Sequence, residues 1–474
     1  MARQPTGGDS TPGWDAGLMA SAMFRYDEAM TDLVVAACRE RLSMDPVALD
    51  FGGLVESLDA ELAGLMRPEG NDAARVLQLF IDTLSTAVVS CDSPRFLSFI
   101  PAAPTKASLL FDMFVSCSSL HGTSWLEAAG VVVAENQALA VLAAQAGLPD
   151  GAGGCFVAGG SAGNLSALMV ARDTAGHRRH TNPPLRPLVA LSEDAHSSVG
   201  KALHVLGVGT LSVTTEDHRL TGPALRAALE ADPRRDDVIG VVATAGTTNA
   251  GIVDDLAGVA DVAADHALWF HIDGAYGGAA ALFAPSVREQ FAGFERADSF
   301  IVDPHKWLFA PFDCAALVYR QPNLAKAVHT QDAQYLDVLH SENPEEWNPS
   351  DYAFHLTRRA RGLPLWFSLA VNGLDAYREG VEAGLVMAHR AAERIAQAPH
   401  VELVREPGLS IVLFRRHGWT KLDYEDWSSR LLHDQIGFVT PTSWEGETVA
   451  RFAFLHPDTT IEMVDEILAS MLDA

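Results

Sequence analysis

The chain has 474 residues, 48% of them apolar and 20% charged. This is ordinary globular usage and excludes disorder along its length, because disordered chains lack the apolar content to form a core. Its 61 acidic and 34 basic residues give a formal net charge of −27, which excludes nucleic acid and anionic membranes as expected partners, since both attract cations.

At about 150 residues per domain the length has room for roughly three domains. Residues 1–13 are polar, with Gly and Pro, and carry no continuous apolar run after Arg3, so no secretory signal is expected. From Ala16 to Met66 the pattern is helical. Met30, Leu33, Val34 and Ala37 share one face, as do Leu54, Leu58, Leu62 and Leu65. A third helical stretch covers 73–89, and the proline-rich 93–104 reads as a loop. The most apolar stretch, Val131–Leu148, is interrupted by Glu135, Asn136, Gln137 and Gln145, short of a membrane span.

From about 125 the pattern alternates. Helical stretches at 125–147, 164–175, 197–206, 222–231 and 255–266 interleave with strand-like runs. Those runs are 155–158, 188–191, 211–213, 238–243, 268–272, 300–302 and 315–319. Such alternation predicts a mostly parallel sheet covered on both faces. A long helix at 365–398 leads to strands at 410–415 and 449–454 and helices at 424–435 and 460–472. The expected organisation is a helical arm over 1–92, a large α/β domain over 93–370 and a small α+β domain over 371–474. The five cysteines are widely spaced without a CxxC pair, so we expect reduced, mostly buried thiols, no metal site and a cytoplasmic protein.

Only five of the cations are lysines. One of them, Lys306, stands in Asp303-Pro304-His305-Lys306-Trp307, just past the 300–302 strand. A lysine at a buried strand end is either snorkelling to solvent or chemically used, as an amine that forms a Schiff base. Asp273, in His271-Ile272-Asp273-Gly274-Ala275-Tyr276, follows another strand, where α/β sheets bind ligands. It either caps a turn or pairs with the ring nitrogen of pyridoxal phosphate (PLP). Gly159-Gly160-Ser161-Ala162-Gly163-Asn164 precedes a helix and is either a tight turn or a phosphate cradle. His196, in Ala195-His196-Ser197-Ser198-Val199, lies just before a helix, where its ring can stack on a cofactor or simply fill the surface. Thr247, in Gly246-Thr247-Thr248, is a further donor, and Asp254 after it reads as a helix N-cap.

The order and spacing of these five pieces resemble the group II PLP-dependent decarboxylases, which act on aromatic amino acids, histidine or glutamate. The resemblance runs from about Ser93 to the C-terminus and is densest in AHSSV, GTT, HIDGAYGG and DPHKWLFAPFDC. It implies fold type I, the aspartate aminotransferase-like architecture. It implies that Lys306 carries PLP, Asp273 pairs with its ring nitrogen and His196 stacks on the ring. Ser161, Ala162 and His305 would hold the phosphate, while Thr247 and Ala275 would touch the ring. Tyr352, on a loop, would be the proton donor, with Tyr335 as its alternative. Asp303 stands where relatives often carry Asn, and is expected to bond backbone or an arginine. Phe99, Ile100 and Pro101 match the substrate-contacting loop, and an apolar or aromatic side chain is expected. The resemblance also implies a homodimer with shared active sites, the arm acting as a clasp. The expected reaction is α-decarboxylation of an L-amino acid. Its rivals are an oxygen-dependent aldehyde synthase, another fold type I reaction such as transamination, and a cofactor-free binding protein.

Overall fold

A computed structural model describes residues 24–472 apart from 54, 101–102, 181, 332–333, 335–342 and 344–345. Two compact units emerge. The first comprises Met1–Asp45 and Gly52–Val88, the second Pro46–Phe51 and Val89–Ala474.

The first unit is helical: α1 (Glu28–Ser43), α2 (Val55–Leu62) and α3 (Ala73–Leu79). Asp27 and Asp72 cap α1 and α3 by accepting the N–H groups of Met30 and Arg75. Met30, Leu33 and Val34, read as one apolar face, stay exposed within this unit.

The second unit begins with α4 (Lys106–Cys117) and α5 (Trp125–Gln145). Then strands and helices alternate: β1 (Gly153–Val157), α6 (Gly160–Arg179), β2 (Leu188–Ser192), α7 (Ser197–Leu206), β3 (Gly209–Val213), α8 (Gly222–Ala231), β4 (Val238–Thr244), α9 (Leu256–Asp265) and β5 (Trp269–Asp273). After α10 (Gly278–Phe283) come β6 (Ser299–Val302), β7 (Ala315–Tyr319) and α11 (Pro322–His329). The long α12 (Leu363–Gln397) leads to β8 (Val401–Leu403), β9 (Ile411–Arg416), α13 (Lys421–His433), β10 (Pro441–Trp444), β11 (Glu447–Ala453) and α14 (Ile461–Ala469).

The large sheet has the order β1-β7-β6-β5-β4-β2-β3. It is parallel except at β7, which runs antiparallel to β1 and β6. The expected α/β class is the one found. Every residue of β4 and β5 is buried, which is why these strands read as mainly apolar runs rather than alternating ones, with His271 and Asp273 as the polar exceptions in β5. The edge strand β3 instead exposes three of its five residues. A smaller antiparallel sheet, β10-β11-β9-β8, packs Phe414 and Phe452 against Trp427 and Ile395. The sequence pattern missed β8 and β10, which are too short to show alternation. It also missed α4, whose start is marked by Thr105 accepting the Ser108 N–H.

Helix α5 is long and apolar enough by composition to cross a membrane. In this fold it is a core helix, with Val132, Leu139 and Leu142 buried. Its one buried charge, Glu135, explains the interruption in the apolar run. Glu135 accepts from Arg358 Nη2 at 2.7 Å and from the Gly362 N–H at 2.8 Å, tying α5 to the entry of α12. Burial raises the Glu135 pKa, opposed mainly by Arg358. No disulfide forms among the described residues. Only Cys155 and Cys314 are buried, fewer than expected, and Cys117 is exposed.

Removing one partner of a buried pair strands the other charge, at a cost of about 3–5 kcal/mol. Glu135→Ala should therefore lower the urea midpoint sharply, by a loss of about that size.

Candidate active site

The carboxyl ends of β4, β5 and β6 point to the side where α6 and α7 begin, and the sequence-derived residues gather there. Lys306 follows β6 through a turn closed by its N–H to the Asp303 carbonyl at 2.9 Å. Its Nζ sits 2.9 Å from Asp303 Oδ2, and its side chain is 24% exposed. Asp303 is only 2% exposed. The same Oδ2 accepts the Gly160 N–H at 3.2 Å and lies 3.4 Å from His305 Nε2. The expected backbone partner is found, and Lys306 and His305 stand beside it rather than an arginine. Burial alone would raise the Asp303 pKa. Lys306 and His305 outweigh it and hold the carboxyl below its usual value. His305 Nδ1 accepts the Cys314 N–H at 2.9 Å, which leaves its Nε2 for Asp303.

Asp273 closes β5. Its Oδ1 accepts the Ala275 N–H at 3.1 Å and its Oδ2 accepts Asn164 Nδ2 at 3.0 Å. A Cβ on Gly160 would stand 3.1 Å from Ala275 Cβ and 3.2 Å from Asp303 Oδ2. Glycine here lets the first turn of α6 approach both loops. Ser161, exposed, and Ala162, half-buried, follow in that turn.

His196 caps α7, its Nδ1 accepting the Ser198 N–H at 3.2 Å. Gly246, at φ +102°, turns the chain out of β4 in a conformation that side chains disfavour. Thr247 follows, its Oγ1 accepting the Ile252 N–H at 3.1 Å. His196 and Thr247 share a cavity of about 210 Å³ with Asp194, His218, Asn249 and Trp444. His218 bridges two elements there, 3.3 Å from Asp194 and 3.2 Å from Glu445.

Arg451 of β11 was not singled out from sequence. Its Nη2 donates to the carbonyls of Thr248 at 2.6 Å and Phe99 at 2.9 Å, and its Nε to that of Asn249 at 3.3 Å. Burial lowers its pKa to about 10, with Tyr276 opposing, so it stays charged at neutrality. A charge in the apolar run Val449–Phe454 is the signal that could have found it. Through Arg451 the Phe99 carbonyl reaches the Thr248 segment, while the Phe99 ring is 62% exposed. Ile100 packs on the main core, and Pro101 lies outside the described residues.

Two assignments are corrected. The cap of α9 is Asp255, not Asp254. Asp254 is buried and instead accepts the N–H groups of Thr244 and Leu220. Tyr352 is not on an open loop over Lys306. It is 3% exposed and stacked on Trp347, with ring centroids 4.0 Å apart. Its carbonyl accepts Tyr319 Oη, and Tyr319 pairs with Gly153 and Ser299. Lys306 lies past the opposite end of that ladder, beyond Val302↔Ala316, which is about 10 Å along the strand at ~3.3 Å per residue. Burial also raises the Tyr352 pKa, so the phenol holds its proton. Tyr335 lies outside the described residues.

The assembled groups are an amine, a carboxylate fixed by two N–H donors, an imidazole, and a hydroxyl at a helix N-terminus. They suit the aldehyde carbon, ring nitrogen, ring face and phosphate of PLP respectively.

A carboxyl held below its usual pKa adds stability above its unfolded value, and that stability is lost as pH falls through the folded value. Asp303→Asn should lower stability at neutral pH and flatten the acid limb below about pH 4 in pH-dependent unfolding. Tyr352→Phe should leave the product ratio unchanged, measured by amine and aldehyde analysis.

The family model for the pyridoxal-dependent decarboxylase conserved domain matches residues 60–417, well over half of the chain. The chain is similar to the aromatic-L-amino-acid decarboxylase of Bacillus atrophaeus, 30% identical over 84% of this chain and 85% of that one. Its fold is similar to Oryza sativa TDC with PLP and tryptamine, at TM-score 0.86 and 24% identity, over 94% of this chain and 97% of that one. It is similar also to Rhodiola rosea 4-hydroxyphenylacetaldehyde synthase, at TM-score 0.83 and 23% identity, over 94% and 97%. A lysine, an aspartate and a histidine gathered at the strand ends of this fold, together with the domain match, place the chain in the pyridoxal-dependent decarboxylase family, as a PLP-dependent amino acid decarboxylase.

Proposed function

We propose that the substrate is an L-amino acid with an aromatic or apolar side chain, released as its amine and CO2. The observation that carries this reading is the placement of Lys306 just past β6, Asp273 at the end of the adjacent β5 and His196 at the start of α7. When bound, PLP supplies an electron sink for the pair left as the bond from Cα to the carboxyl breaks. Lys306 Nζ is the amine that would hold it and then yield to the substrate's amine. Asp273, with each oxygen already held by an N–H donor, would keep a proton on the ring nitrogen. Ser161 and Ala162 would receive the phosphate at the positive end of the 20-residue α6. His305 would support this side through Asp303 rather than by direct contact. Thr247 and Ala275 would border the ring.

Arg451 offers a buried cation beside Thr248, with no carboxylate partner among the described residues, and would attract the substrate's α-carboxylate. The exposed Phe99 ring and the name of the Bacillus atrophaeus relative support an aromatic or apolar side chain. A proton must replace CO2 at Cα. With Tyr352 in the core, we assign it to Tyr335, the alternative named from sequence. The reading carries with it a cytoplasmic homodimer whose 93–104 loops serve the facing site.

A second reading, an oxygen-dependent aldehyde synthase, is favoured by the position of Tyr352 and by the likeness to 4-hydroxyphenylacetaldehyde synthase. CO2 release across the twenty standard L-amino acids, with amine, aldehyde, ammonia and peroxide measured together, separates the two. We expect amine from aromatic or large apolar substrates. Turnover and the visible absorbance of bound PLP should both vanish in Lys306→Ala. Reaction with acidic amino acids alone would overturn the substrate reading.

A further inference from the structure

Asn164 is the last residue of the Gly-rich loop sequence and sits one turn into α6, fully buried. Its carboxamide touches three groups. Oδ1 lies 2.9 Å from His271 Nε2, and Nδ2 lies 3.0 Å from both Asp273 Oδ2 and Ser198 Oγ. The contacts continue at both ends. His271 Nδ1 is 2.8 Å from Ser299 Oγ, which is 2.8 Å from Trp269 Nε1. Ser198 Oγ is 2.8 Å from His196 Nδ1.

The Asp273 end gives the protons of this chain their places. A carboxylate only accepts, so Asn164 must turn its Nδ2 to Asp273 and its Oδ1 to His271. A flipped amide would set oxygen against oxygen. His271 therefore carries its proton on Nε2, and the Nδ1 of the neutral ring accepts from Ser299, which itself accepts from Trp269 because an indole N–H only donates. The second proton of Nδ2 goes to Ser198 Oγ, whose own proton goes to His196 Nδ1. That nitrogen also accepts the Ser198 N–H. With two donors aimed at Nδ1, the neutral His196 ring carries its proton on Nε2. His271 is held neutral by burial, at a pKa of about 4, with Asp273 opposing, so it orients without adding charge.

We propose that Asn164 is a positioning residue whose single carboxamide fixes both the Asp273 carboxylate and, through Ser198, the proton arrangement of His196. This rests on the roles given to Asp273 and His196 under the proposed function. The relay is buried, so a broken link leaves an unsatisfied group rather than one rescued by water. It also disfavours a proton on His196 Nδ1, because that proton would face two donors.

The test uses cofactor-free full-length protein with labelled histidine, read by nitrogen NMR. Wild type should show the His196 proton on Nε2. Ser198→Ala and Asn164→Leu should each move part of the His196 proton from Nε2 to Nδ1, read as a change in the two ring-nitrogen shifts, because a competing donor is lost or freed to accept. Asp194, His218 and Glu445, which share the His196 cavity, are unaltered in both variants. Asn164→Ser, smaller and polar, gives the same shift should the leucine variant not fold. In a parallel titration with PLP, the Asn164 variants should weaken binding about tenfold, and Ser198→Ala by no more than about twofold. An unchanged His196 tautomer in Ser198→Ala, or in the folded Asn164 variant, overturns the relay whatever PLP does. A relay that behaves as stated while Lys306→Ala still turns over would instead overturn the functional reading.

Discussion

Asp303 is the group on which the site depends. A carboxylate this buried is costly unless charges and donors meet it, and here one oxygen gathers three partners. The Gly160 N–H brings in the start of α6, Lys306 brings in the amine, and His305 comes with the turn that follows β6. One interaction thus sets the distance between the helix that would receive a phosphate and the lysine that would hold an aldehyde. A protein of net charge −27 can nonetheless keep a site suited to an anion. Local dipoles and one lysine act at contact distance, whereas the many surface carboxylates act across water and salt.

Around this point the supports are rigid. The parallel strands β4, β5 and β6 end on one side, where Asp273 closes β5 and the loops after β4 and β6 carry Thr247 and Lys306. The reversed β7 returns the chain beside them, between β6 and β1. From the small sheet, Arg451 binds the carbonyls of Thr248 and Asn249 and so pins the Thr247 loop. The Glu135–Arg358 pair does the equivalent at the far side of the core, where α5 meets the approach to α12. Each is a charge committed to backbone or to one partner, which favours a fixed arrangement over an adaptable one.

The site was largely legible because its residues follow strands. Lys306, Asp273 and Thr247 each lie within three or four residues of a buried apolar run, so local pattern alone placed them at strand ends. Tyr352 shows the limit. Its sequence neighbours read as a proline-bordered loop. What fixes it is stacking on Trp347 and a bond from Tyr319, a strand residue 33 positions earlier. Asn164 was visible within the Gly-rich loop, yet its importance depends on His271 and Asp273 of β5 and Ser198 of α7 arriving from two other segments. Arg451 lies 203 residues from the carbonyl of Thr248 that it binds.

The sequence by itself determined the α/β class and the alternation of strands and helices, and it singled out Lys306 among the five lysines. Period and composition act over neighbouring residues, and those features are local. The tertiary structure alone decided that β7 runs backwards, that Asp303 pairs with the lysine, that Tyr352 belongs to the core, and that Asn164 joins Asp273 to His196. Each depends on which distant segments meet. That follows from packing buried faces and satisfying buried polar groups together, which no single stretch of chain specifies.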